Sequence, residues 1–216
     1  GRFPELFNSV KLAYVADGHH RSASAARVST EYRNLNDFNS GEEDYNWFLT
    51  VFFPDSQLKV LPYNRVVNDL NGLSNEEFMI EVEKLASVSV SDNIPPSTPG
   101  LTKMFISGCW YELRWNDKFE DPVSCLDVSI LQELLLGPVL GIDDPRTNSR
   151  INFIGGISGN EELERLVSNG NYAVAFSMHP VGVSQLMDIA DSGKIMPPKS
   201  TWFEPKLRSG LFIHTF

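Results

Sequence analysis

The stretch KLAYVADGHHRSASAARVSTEYRNL, residues 11–35, contains the most informative change of pattern in the chain. Its first part, Lys11–Ala16, is a short apolar run that is typical of a buried strand. The Ala-rich part from His19 to Leu35 predicts a helix. Asp-Gly stands between the two, so the sequence predicts a strand-to-helix turn at Asp17–Arg21.

This turn combines a glycine with the most basic tripeptide of an acidic chain. The first N–H groups of a helix have no partner within the helix, and they favour a bound anion. Gly18 permits a ligand to approach the backbone closely. His19, His20 and Arg21 occupy the first helical turn, where positive charge is unfavourable unless an anion offsets it. We therefore predict an anion site at the turn, with Arg21 able to bind a phosphate or carboxylate through two N–H groups.

The same residues also allow a purely structural interpretation. Asp17 would then cap the helix and pair with Arg21, and both histidines would be neutral. A metal site is disfavoured, because adjacent helical residues such as His19 and His20 point about 100° apart.

A second basic stretch lies near the end of the chain and contains Lys199, Ser200, Lys206 and Arg208. The segment GKIMPPKS, residues 193–200, has the length of a Walker A loop. Pro198 replaces its second glycine, however, and removes an N–H from the phosphate cradle, which excludes a P-loop. The basic stretch is either a solvated loop or a second clamp on the same anion.

Composition limits the possible partners. The 216 residues include 42% hydrophobic and 21% charged residues, which is typical of a globular protein. The net charge of −10 disfavours binding to nucleic acid and to anionic lipid. The chain has neither a leader-like segment nor an apolar run long enough to span a membrane. Cys109 and Cys125 are expected to be reduced, with one disulfide between them as the alternative, and we expect a cytoplasmic protein without membrane contact.

The remaining pattern predicts a mixed α/β (α+β) fold, with one mixed sheet and helices. The proline-rich segment Ser91–Gly100 is predicted to be a domain boundary or an exposed crossover. It separates a turn-bearing part, residues 1–95, from a C-terminal α/β part, residues 96–216, and the two parts either are separate or belong to the same compact domain. Asp127, Asp143, Asp144 and His179 are expected to be structural. Further strands are predicted at residues 45–53, 58–63, 88–90, 101–106, 110–115, 151–154, 172–176 and 210–216. Further helices are predicted from the capping boxes at Ser74 and Ser158, and at residues 123–136 and 181–191.

Two stretches of the chain resemble a known family. ADGHHRSASA, residues 16–25, and MPPKSTWFEPKLRSGL, residues 196–211, look like the domain-of-unknown-function family numbered 1015, often described as ParB-like. LDVSILQELLLGPVLGI, residues 126–142, and the segment 151–193 resemble it too. The likeness covers nearly the whole chain and corresponds to the family's C-terminal half. It implies that about half of the native protein lies upstream.

The turn also resembles, more remotely, a Gly-x-His-Arg or Gly-x-x-Arg motif shared by ParB proteins, sulfiredoxin and the free-serine kinases. This resemblance implies that Gly18, His19, His20 and Arg21 bind nucleotide phosphates at a helix start. His20 stands where sulfiredoxin has its catalytic cysteine, so that chemistry is excluded. The kinases' catalytic acid lies upstream of their turn, and the upstream Glu5 is not a convincing counterpart.

These observations lead to a functional hypothesis with two alternatives. The first is a nucleotide-dependent phosphotransferase that uses ADP, ATP or CTP with Mg²⁺ and acts on a small hydroxyl substrate such as an amino acid. Its predicted catalytic residues are Asp17, His19 and His20. Its predicted phosphate-binding residues are Gly18, Arg21, Lys199, Ser200 and Lys206, and no metal ligands are assigned. The alternatives are a non-catalytic, nucleotide-gated binding module of ParB type, and a protein with no activity.

Overall fold

The computed structural model describes residues 2–117, 119–208 and 210–215. The chain forms two compact units. The terminal unit consists of residues 1–59 and 205–216, and the sheet unit consists of residues 60–204. The predicted division at residues 95 and 96 stays a prediction. The segment 91–100 connects two strands of the same sheet.

The strands form one seven-stranded sheet in the order β2-β4-β3-β6-β1-β5, with β7 beside β1. The strand pairs β1–β5, β1–β6, β2–β4, β3–β4 and β3–β6 are antiparallel. The strands are β1 (Lys59–Val67), β2 (Ala86–Ser91), β3 (Leu101–Ile106), β4 (Cys109–Trp115), β5 (Ile151–Gly155), β6 (Val174–Met178) and β7 (Thr201–Glu204).

Helices accompany the sheet, which confirms the predicted mixed α/β class. The terminal unit contains α1 (Arg2–Phe7) and α2 (His19–Leu35). The sheet unit contains α3 (Asn75–Leu85), α4 (Asp127–Leu131), α5 (Gly159–Ser168) and α6 (Val183–Asp191). A π-helical segment, Gln132–Leu136, continues α4. Within the described ranges, no helix combines the length and the apolar character that crossing a bilayer requires.

Several local signals act as predicted. At the start of α3, the Ser74 hydroxyl accepts the Glu77 N–H at 3.2 Å, and the Glu77 carboxylate accepts the Ser74 N–H at 2.8 Å. Ser107 and Gly108 form the β3–β4 turn with φ of 51° and 78°. The capping box predicted at Ser158 is wrong, because the Ser158 backbone is already helical and its side chain makes no capping hydrogen bond.

Alternating residues of the central strands face two apolar layers. Phe176 of β6 and Met104 of β3 are fully buried in the main core, together with Phe78 of α3. Ala175 belongs to a smaller cluster on the opposite face, where Leu163 of α5 packs. This period-two alternation explains why the sheet carries helices on both faces.

Three predicted strands are absent. Lys11–Ala16 and residues 45–53 are not strands, and neither are residues 210–215; Phe216 lies outside the described residues. A strand needs a neighbouring strand to satisfy its backbone N–H and C=O groups. In the described part of the terminal unit, only Lys59 belongs to a strand. The apolar segments of this unit that were predicted as strands therefore have no neighbouring strand with which to form backbone hydrogen bonds.

Candidate functional site

Gly18 begins helix α2 in a left-handed backbone conformation, with φ 84° and ψ 26°. Glycine adopts this conformation without the strain that a Cβ would introduce. In the first backbone hydrogen bond of the helix, the Ser22 N–H donates to the Gly18 carbonyl at 3.0 Å. No side chain caps this helix. The N–H groups of His19, His20 and Arg21 therefore precede the first intrahelical bond and are available to an anion.

The guanidinium of Arg21 lies against Gly18. A Cβ placed on Gly18 would come within 3.1 Å of Arg21 Nη2 and 3.3 Å of Nε. Five N–H donors are thus held beside the open helix start. Asp17 does not cap the helix, which corrects the structural alternative, because Gly18 occupies the cap position. The Asp17 carboxylate instead accepts the Gly18 N–H at 2.9 Å.

Lys206 joins the turn from a distant part of the sequence. Its Nζ donates to the second oxygen of the Asp17 carboxylate at 3.3 Å, across a separation of 189 residues. Burial raises the pKa of Asp17, but the Gly18 N–H and the positive charges of Lys206 and Arg21 outweigh it and hold the pKa below its usual value. Asp17 is therefore an ionised group that positions Lys206, and its lowered pKa makes it a weak base.

The other predicted residues of the turn have open surroundings. The side chains of His19, His20 and Arg21 are exposed. Lys206 of the late basic stretch lies in the same unit as Asp17 and contacts its carboxylate. The roles of these residues in catalysis and phosphate binding stay predictions.

Lys199 and Ser200 belong to the sheet unit. Lys199 has a left-handed φ of 55°, and its carbonyl accepts Arg65 Nη2 at 3.1 Å. Its ammonium lies 5.2 Å from the centre of the Tyr63 ring. Ser200 is buried and donates to the Pro197 carbonyl at 2.6 Å. Their predicted role in phosphate binding stays a prediction.

The residues expected to be structural make ordinary contacts. Asp144 pairs with Arg146 at 2.8 Å, and burial lowers the pKa of His179. Cys109 and Cys125 are free thiols. Across the residues that the structure describes, no three His, Cys, Asp or Glu side chains gather as metal ligands would.

The Asp127→Asn variant is expected to change how stability depends on pH. Burial raises the pKa of Asp127 to about 6, although its carboxylate accepts the Gly100 N–H at 2.7 Å. The unfolded carboxyl has a pKa of about 3.9. The folded state therefore binds the proton more tightly, and the free energy of unfolding of the parent rises as the pH falls from 7 to 4. The rise attributable to this group is about 2–3 kcal/mol.

An amide cannot titrate, so the variant is expected to lack this rise and to be more stable than the parent at pH 7. Denaturant unfolding at a series of pH values measures both effects, with Asp143→Asn, at an exposed position, as the control. A parent and variant that differ by the same free energy at pH 4 and pH 7 would contradict the raised pKa.

Sequence reasoning missed a cavity of about 180 Å³ in the sheet unit. Arg65 of β1 and Ser129 of α4 line it, and both side chains are buried. The available signal was an arginine within the strand sequence YNRVV, residues 63–67, where only apolar or half-buried side chains are expected.

The family described as "Protein of unknown function (DUF1015)" matches residues 2–129. No curated protein matches the chain. Among solved structures, a free serine kinase in complex with AMP is similar with a TM-score of 0.44 and 11% identity, over 68% of this chain and 54% of that chain. A mutant of a free serine kinase in complex with ADP is similar with a TM-score of 0.41 and 14% identity, over 87% and 66%. This chain thus spans about half the length of the first of these structures. The match over residues 2–129 is more than half of the sequence, and the chain belongs to the family of proteins of unknown function DUF1015.

Proposed function

We propose that the turn at Asp17–Arg21 binds the phosphate groups of a nucleotide, and that the protein transfers a phosphoryl group to a small hydroxyl substrate such as an amino acid. The observation that supports this proposal is the open start of α2, where the Arg21 guanidinium lies against a left-handed Gly18. Free N–H groups and a guanidinium at one helix start are complementary to phosphate oxygens.

Each residue of the turn has a distinct proposed role. The N–H groups of His19, His20 and Arg21 donate to the phosphate oxygens, and Gly18 keeps the approach to them open. The Arg21 guanidinium supplies the main positive charge. Lys206, held at 3.3 Å by Asp17, supplies a second charge. These donors are preorganised, which is the main contribution that a protein makes to phosphoryl transfer.

The proton of the substrate hydroxyl needs an acceptor. Asp17 is poorly suited, because its pKa is lowered and Lys206 occupies one of its oxygens. The exposed His19 and His20 are the better candidates, since a ring nitrogen of histidine can accept a proton from a hydroxyl. Mg²⁺ would enter with the nucleotide and be bound mainly by phosphates and water. It would neutralise charge on the phosphates.

Phosphorus NMR of the protein with ADP, ATP or CTP, Mg²⁺ and a panel of hydroxyl amino acids tests this function. We expect a new phosphomonoester signal that requires both nucleotide and amino acid and that disappears in Arg21→Ala. The non-catalytic alternative predicts that the nucleotide binds and that this signal never forms. Nucleotide binding without a phosphomonoester signal would contradict phosphoryl transfer but would be consistent with a phosphate site at the turn.

A further inference from the structure

The cavity of the sheet unit is apolar on most sides. Most of the residues that line it are apolar: Val123, Val128, Leu136, Pro145, Phe153, Pro197 and Pro198. Its volume is about 180 Å³. The polar groups at its surface come from Arg65, Ser129, Gln132 and Glu133. The cavity is therefore a small apolar space with a few polar groups, as in sites for small organic ligands.

Arg65 places an unneutralised positive charge at this cavity. Its side chain is 4% exposed and donates to the carbonyls of Tyr63 and Lys199. Its guanidinium also lies 5.5 Å from the centre of the Phe153 ring. In the described part of the chain, Arg65 forms no salt bridge, and these contacts account for two of its five N–H groups. Buried charges are ordinarily paired, since an unpaired one is costly.

The backbone is arranged to hold Arg65 in this position. The carbonyl that accepts its Nη2 belongs to Lys199, a non-glycine residue with a φ of 55°. Side chains other than glycine rarely adopt this conformation, and it persists where the surrounding structure holds it. Burial lowers the pKa of Arg65 to about 9, so the guanidinium stays charged at neutral pH.

Ser129 provides a second, independent observation. Ser129 is one of the residues that line the cavity, and its hydroxyl is the one buried side-chain polar atom without a hydrogen-bond partner among the described residues. Gln132–Leu136, which also borders the cavity, is π-helical, with the Gly137 N–H donating to the Gln132 carbonyl at 3.0 Å. Buried polar groups are nearly always satisfied, and π-helical segments occur often at functional sites. The Ser129 hydroxyl without a partner and the Arg65 guanidinium without a salt bridge belong to residues that line the same cavity. Together they indicate that a ligand with hydrogen-bond acceptors binds there.

We propose that this cavity binds a small organic carboxylate. One oxygen of the carboxylate accepts a hydrogen bond from the Arg65 guanidinium, and the other oxygen accepts one from the Ser129 hydroxyl. The apolar part of the ligand packs against Val128, Leu136 and Phe153. The site lies within the sheet unit. It stands independently of the phosphate site proposed at the turn.

The charges of the lining favour a carboxylate over a phosphate. Arg65 is the single cationic side chain among the lining residues, and Glu133 adds a negative charge at the same cavity. A monoanion is neutralised by Arg65, whereas a dianion would leave excess negative charge beside Glu133 and apolar walls. A carboxylate with a branched apolar body also fills the space that phosphate would leave empty.

Titration of the whole chain with isobutyrate, followed by ¹⁵N–¹H NMR, tests the proposal. Isobutyramide, which has the same shape without the charge, and inorganic phosphate are the comparison ligands. We expect isobutyrate to shift the amide signals of Arg65, Ser129 and Gln132 in a saturable way. Isobutyramide is expected to bind about tenfold more weakly or worse, equivalent to about 1.4 kcal/mol. Equal binding of acid and amide, binding of phosphate as tight as that of isobutyrate, or no saturable binding would overturn the proposal.

Two variants locate the binding. Arg65→Met is expected to abolish isobutyrate binding, and circular dichroism checks that it folds. Ser129→Ala keeps the test valid even if the first variant does not fold, because its hydroxyl has no partner to lose. It is expected to weaken isobutyrate binding several-fold without lowering the melting temperature. Ser89→Ala, at an exposed position of β2, is the control. Unchanged isobutyrate affinity in Ser129→Ala would contradict the proposal.

Discussion

Arg21→Ala is expected to remove half or more of the thermal stabilisation that pyrophosphate or a nucleotide gives the protein. A ligand at a hundred times its dissociation constant stabilises the folded state by about 2.7 kcal/mol. A hydrogen bond between charged groups is worth about 1.5–3 kcal/mol, so loss of the guanidinium weakens binding by about 10- to 100-fold. At the same ligand concentration, about 0.4–1.4 kcal/mol of the stabilisation then remains. Thermal unfolding with and without ligand measures the difference.

The control for this experiment is Arg27→Ala, which removes an exposed arginine from the same helix. We expect it to keep the full ligand-induced shift. Because Arg21 is exposed, the melting temperature of unliganded Arg21→Ala should stay close to that of the parent. A variant that is destabilised without ligand, yet keeps the ligand-induced shift, would show that Arg21 only supports the helix start.

Phe176→Ala is expected to have the largest effect on stability. Phe176 is fully buried on β6, which lies between β3 and β1 in the sheet. Removing the ring from such a position leaves a cavity that the surrounding strands cannot fill. The expected loss is about 3–5 kcal/mol of the free energy of unfolding. Urea unfolding measures this loss as a lower transition midpoint.

Val90→Ala is the matched control, because Val90 lies on the edge strand β2 and its side chain is 80% exposed. Its free energy of unfolding should change by about 0.5 kcal/mol or less. If Phe176→Ala were as mild as Val90→Ala, β6 would not be the central strand that the structure describes.

The elements that the sequence predicts well are those with local signals. Helix α2 occupies His19–Leu35 as predicted, because an alanine-rich run and the preceding glycine act within the segment itself. The capping box at Ser74 and the hairpin turn at Ser107 and Gly108 are also confirmed, since each depends on a few neighbouring residues.

The wrong strands depended on partners that a single segment does not reveal. Lys11–Ala16 and residues 45–53 have suitable apolar patterns, but a strand exists only where another strand takes its hydrogen bonds. Conversely, β7 was missed because Thr201–Glu204 is short and follows a proline-rich segment. Its pairing with β1 joins residues far apart in sequence.

The candidate sites divide in the same way. The open helix start at Gly18 follows from local sequence, and so does the position of Arg21 beside it. The contact between Lys206 and Asp17 spans 189 residues and needed the structure. The cavity at Arg65 and Ser129 was not predictable, because burial of an arginine and of a hydroxyl without a partner arises only when segments far apart in the sequence fold around one cavity.

The most direct test of the phosphate site is a ¹⁵N–¹H NMR titration of the protein with ADP and with pyrophosphate. N–H groups that donate to phosphate move strongly in such spectra. We predict that the amide signals of Gly18, His19, His20 and Arg21 shift more than all others, to the same extent with both ligands, and saturate together. Binding that leaves these four signals unmoved would contradict a phosphate site at the start of α2.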